Sequence, residues 1–189
     1  MRYLLIFLAL LPLWVIGSLF FYGMGFEWFD EIVAWTQNTF ALPLPNMPNK
    51  LYFLSQIAGK SALWMLILAF WVNPLRTYLR FDLVEFKKLL GGFAVAYALL
   101  HLFLFVAAHQ FDLAHVGKLF LSHLFLVVGF GALLVFAVAP QVKSWYKFLY
   151  IGVVLVIIHL LLGYPALETP HIIGISLLSL GLALRLIKR

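Results

Sequence analysis

The sequence predicts an all-α integral membrane protein: a bundle of six transmembrane helices, with both termini on the cytoplasmic side and a short interfacial helix after the first span. Three observations carry that prediction. The 189 residues are 65% hydrophobic and 11% charged, with a mean hydropathy of +1.06, whereas a soluble domain carries roughly 25% charged residues. Apolar stretches long enough to cross a ~30 Å hydrocarbon core recur along the whole chain. The basic residues gather at the ends of those stretches, so the net charge of +6 speaks for membrane orientation and against nucleic-acid binding.

The first span, Tyr3–Tyr22, follows Arg2. It has the outline of a signal sequence, but it is long and lacks a small-x-small cleavage site, which makes it an uncleaved anchor. Phe26–Phe40 then mixes Glu27, Trp28, Asp30, Glu31 and Trp35, the composition of a short helix lying in the headgroup region. Pro43–Pro48 breaks regular structure. The second span, Ser55–Leu75, closes on Asn73-Pro74-Leu75-Arg76. Leu89–Gln110, Lys118–Ala139, Phe148–Gly163 and His171–Ile187 complete the six. The connections are short and no internal repeat is evident, so residues 1–189 form a single membrane domain.

Orientation follows from the basic residues. With the N-terminus inside, Arg2, Arg76, Arg80, Lys87, Lys88, Lys143, Lys147, Arg185, Lys188 and Arg189 fall inside, and only Lys50, Lys60 and Lys118 outside. Ten against three is a strong positive-inside asymmetry. The chain has no cysteine, which excludes disulfides, thiol redox chemistry and Cys-ligated clusters. It has no Ser/His/Asp constellation, no phosphate-binding glycine loop and no H-E-x-x-H. Carboxylates are absent from the span cores, against a transporter built on acidic relays.

Two histidines stand out because an ionisable ring at membrane depth is costly. The third span runs outward from Lys88, with His101 13 positions on; the fifth runs outward from Lys147, with His159 12 positions on. Both rings then lie roughly 18–20 Å from the inner surface. Imidazoles at one level on two parallel helices suit a haem iron held between them; the alternative is that each only hydrogen-bonds a neighbouring helix. His123 is a rival, ~7.5 Å below the outer surface if the fourth span is continuous from Lys118. It is either a competing ligand or a haem-propionate contact. His109 and His115 read as interfacial, and His171, after Pro170, as a propionate contact or a solvated residue. Gly91-Gly92 and Gly129-x-Gly131 are small residues that let helices or a flat macrocycle approach. Arg76 suits a lipid headgroup first, and a propionate or flavin phosphate second.

Gly59-Lys60-Ser61-Ala62-Leu63 leading to Asn73-Pro74-Leu75-Arg76, then Lys87-Lys88-Leu89-Leu90-Gly91 and Ala96-Tyr97-Ala98-Leu99-Leu100-His101, resembles the MsrQ (YedZ) family. These are haem-binding membrane subunits of a periplasmic methionine sulfoxide reductase system, within the ferric-reductase-like transmembrane superfamily. The resemblance covers a core at about 49–165. It implies a b-type cytochrome of the bacterial inner membrane that passes electrons from a cytoplasmic flavin donor or the quinol pool to a periplasmic partner such as the methionine sulfoxide reductase. His101 matches the family's third-span haem ligand and His159 the later of its two fifth-span histidines. The earlier of those two is replaced by Tyr146, and the basic stretch before the fourth span by Ser122-His123-Leu124-Phe125. These departures imply one haem b, in the outer half. Flavin mononucleotide enters through the resemblance as a second cofactor, with Arg76, Trp145 and Tyr146 as the flavin or quinol side. The other readings are a ferric-reductase-like oxidoreductase acting on a metal or another acceptor, and a haem-free membrane scaffold.

Overall fold

A computed structural model describes residues 2–40, 49–80, 84–142, 145–163 and 169–187. Among them are eight α-helices, two short 3-10 turns and no strand: α1 (Arg2–Phe21), α2 (Glu27–Phe40), α3 (Lys50–Leu79), α4 (Val84–Ala108), α5 (Leu113–Ser122), α6 (Leu124–Val138), α7 (Leu149–Gly163) and α8 (Thr169–Ile187). Four stretches are long and apolar enough to cross a membrane: Tyr3–Phe21, Lys50–Leu79, Glu85–Ala108 and Leu124–Gln141. Leu149–Gly163 and Thr169–Arg185 are apolar but shorter. The Pro43–Pro48 segment lies outside the described residues.

Helix α3 is the centre of the bundle. It begins where Asn49 caps it, the side chain accepting from the Tyr52 N–H at 3.0 Å, and it ends on Arg80 in the left-handed region. One side of α3 (Leu54, Ala58, Met65, Ala69, Val72) packs with Ala9 and Ile16 of α1 and with Leu90, Ala94 and Tyr97 of α4. The other side (Leu63, Ile67, Phe70) packs with Val153 and Leu160 of α7 and with Leu178 of α8. A helix apolar on both sides is buried on both, as its composition requires.

Helix α1 is fixed through a defect in its own ladder. Pro12 inside it has no N–H and crowds the carbonyl one turn back. In the opened turn the buried Tyr97 hydroxyl takes the place of a ladder bond: it accepts from the Leu13 N–H at 3.1 Å and donates to the Ala9 carbonyl at 2.6 Å. At the far end of α1, Lys50 donates to the Tyr22 carbonyl at 2.6 Å and the Gly23 N–H donates to Asp30 at 2.8 Å. The starts of α2 and α3 are thereby gathered at one end of the bundle.

Helices α6 and α7 form a second antiparallel pair. A Cβ at Gly152 would lie 3.0 Å from the Phe136 ring, so absence of a side chain lets the helices close. Helix α8 packs on α3 along His171, Gly174, Leu178 and Gly181, all buried and spaced as one helix face. Trp71 locks the contact by donating to the Leu177 carbonyl at 3.0 Å.

Two expectations are corrected. The fourth span, Lys118–Ala139, is not one helix: it breaks at His123, whose backbone is extended (φ −125°, ψ 99°). The Leu119 carbonyl attracts the His123 N–H at 2.9 Å, the Ser122 hydroxyl at 3.2 Å and the His123 ring at 3.1 Å. Such local bonds close a helix rather than extend it. Leu113–Ser122 is therefore a separate short helix, and the apolar span starts at Leu124. His171 is also not solvated: it is 1% exposed, at the start of the face that α8 turns inward.

Candidate functional site

His101 projects from α4 onto α3. Its Nδ1 lies 2.8 Å from the Ser55 backbone carbonyl and 3.0 Å from the Ser55 hydroxyl, and that hydroxyl donates to the His101 carbonyl at 3.1 Å. A backbone carbonyl only accepts, so Nδ1 carries the proton and Nε2 keeps the lone pair. The ring rests on Gly59, where a Cβ would be 3.1 Å from Nδ1.

His159 repeats this arrangement from α7 onto α6. Its Nδ1 donates to the Phe125 carbonyl at 2.7 Å, again leaving Nε2 as the free donor atom. It rests on Gly129, where a Cβ would lie only 2.6 Å from Nδ1. In both helices the glycine stands four residues after the carbonyl that the imidazole bonds. That glycine's own N–H points at the same carbonyl within the helix. Lacking Cβ, it leaves the carbonyl's second lone pair open to a ring from the next helix.

The two imidazoles share one arrangement, ring Nδ1 on a backbone carbonyl of the neighbouring helix. Each is held in the tautomer that a metal-ligating histidine adopts, with the second nitrogen on a carbonyl. Among the described residues no group of three or more His, Cys, Asp or Glu comes together. Two imidazoles do suit haem, whose macrocycle supplies the remaining iron ligands. The residues present fit that group.

The other candidates lie elsewhere. His123 is exposed at the α5–α6 break, its Nδ1 2.8 Å from the Ser122 hydroxyl. The Phe125 ring lies beside both histidines, 5.7 Å from His123 and 6.0 Å from His159. His109 bonds the Phe105 carbonyl of its own helix at 2.8 Å and lies against His115 at 5.5 Å. Arg76 is exposed on a cleft with Asn73 and Thr77. Trp145 packs edge-on against Phe148 at 5.9 Å, and Tyr146 opens a 3-10 turn, its side chain outside the described residues. Among the described residues Asn73, Arg76 and Thr77 line the Arg76 cleft, and Tyr150 lines the cleft beside it.

Nothing in the sequence marks Ser55, Gly59 and Phe125 as support for the histidines. Their signal is faint because two of the three contributions are backbone carbonyls, which any residue supplies. Comparison with known protein families, with curated proteins and with solved structures finds no match.

Proposed function

We propose that this chain is a haem-b-binding membrane subunit, the electron-transfer member of an oxidoreductase system, in which His101 and His159 would hold the haem iron. The observation that carries the reading is the pair of matched seats. In each, a glycine and a backbone carbonyl of one helix fix an intramembrane imidazole so that Nε2 alone is left to ligate. Haem supplies a one-electron iron couple when bound. Ser55 and Phe125 orient the rings and raise their donor strength, while the apolar helices exclude water from the site.

In this reading α1, α3, α4, α6, α7 and α8 are six spans, with both termini inside the bacterial inner membrane, and α2 and α5 lie at the outer interface. The donor is quinol or a cytoplasmic flavin, with flavin mononucleotide a candidate second group. The acceptor is a periplasmic redox protein such as a methionine sulfoxide reductase, as the MsrQ-like stretch ending in His101 suggests. With Tyr146 at the place of the family's other histidine, one haem is expected.

Purification from haem-replete cells tests the reading. The protein should be red, with a b-type spectrum on dithionite reduction. His101→Ala and His159→Ala should each lose haem or change its spin state, and His109→Ala should not. A colourless preparation would leave the histidines as packing residues only.

A further inference from the structure

The inner end of the bundle holds a second polar site, 14 residues along α3 from Gly59. A cleft of about 210 Å³ opens there among Asn73, Thr77 and Tyr78 of α3, Tyr150 of α7 and Arg185 of α8. A neighbouring cleft of about 390 Å³ shares Asn73 and Thr77 and adds Arg76. The two form a groove with a guanidinium at either side.

Arg185 is there because of Pro74. Proline lacks an N–H, so the Phe70 carbonyl one turn earlier loses its helical partner, and Arg185 donates to that carbonyl across the helix gap. The guanidinium lies over the Phe70 ring, 3.9 Å from its centre, and 5.8 Å from the centre of the Tyr150 ring. These contacts hold the group but do not satisfy it: its Nε is buried and has no acceptor among the described residues. A buried charged donor left unmet is costly. A half-buried guanidinium with an unmet N–H, beside a cleft that carries a second guanidinium, suits an anion.

We propose that this groove binds a phosphate ester, the headgroup of an anionic phospholipid in the inner leaflet. Arg185 and Arg76 would take the phosphate oxygens, a geometry that guanidinium fits. Asn73 and Thr77, one turn apart on α3, would bond the ester and glycerol oxygens. Basic pockets between spans on the cytoplasmic side suit such headgroups. The proposal does not depend on the histidines holding haem.

Thermal unfolding of the full chain in a neutral detergent, titrated with phosphatidylglycerol, phosphatidylcholine or glycerol 3-phosphate, tests it. Phosphatidylglycerol should raise the melting temperature saturably by several degrees, and phosphatidylcholine should not. Arg76→Gln and Asn73→Leu leave the Arg185–Phe70 bond in place; each should weaken half-saturation, by about tenfold where a charge-assisted bond is lost. Saturable stabilisation by glycerol 3-phosphate alone, lost in the same variants, would keep the phosphate-ester site but make its source a soluble one. Equal stabilisation of the variants and the parent, or none by either phosphate, would overturn the proposal.

Discussion

At His159 the ring lies closer to the neighbouring helix than at His101, and the difference yields a graded prediction. A Cβ at position 129 would sit 2.6 Å from Nδ1, against 3.1 Å at position 59. Gly129→Ala should displace its imidazole and break the bond to the Phe125 carbonyl, lowering haem content or converting low-spin to high-spin iron. Gly59→Ala should do so only in part. The absorption spectra of the two variants check this order, and an unchanged Gly129→Ala spectrum contradicts it. Ser55→Ala should keep its haem, because the shorter bond from His101 goes to the Ser55 backbone at 2.8 Å. The cost of a charged or polar ring in an apolar run marked both histidines in the sequence, whereas their carbonyl partners carried no mark. His171 misled for a related reason. Pro170 suggested a solvated entry, but the spacing 171, 174, 178, 181 places it on the buried face of α8.

Helices α1 and α4 are joined by one hydroxyl in place of a ladder bond. Tyr97→Phe removes the group that meets both the Leu13 N–H and the Ala9 carbonyl, and should destabilise the bundle by about 1–3 kcal/mol, measured by thermal unfolding in detergent. Retained stability would mean that the two backbone groups close on each other instead. Apolar length made most helices legible from the sequence. The α5–α6 break was not legible, because Lys118–Ala139 is apolar on average and its interruption comes from Ser122 and His123 side chains returning to Leu119. Hydropathy averages over such bonds.

As a whole, the described residues include two helix pairs, each holding one half-buried histidine against its partner helix. The α3–α4 pair uses Ser55, Gly59 and His101, and the α6–α7 pair uses Phe125, Gly129 and His159. The correspondence is one of backbone and glycine, so no sequence repeat announced it. Since the chain has no cysteine, single cysteines report its orientation cleanly. Leu121→Cys, on a residue 90% exposed, should react with an impermeant thiol reagent in intact spheroplasts, and Ile187→Cys only after lysis; the reverse pattern contradicts the inside-facing termini. The central claim, one haem between His101 and His159, is tested most directly by the haem-to-protein ratio of the purified chain, read together with its low-temperature electron paramagnetic resonance. The account predicts about one low-spin haem per chain, lost in both His101→Ala and His159→Ala. A ratio near zero from haem-replete cells, or a haem that survives both substitutions, would contradict it.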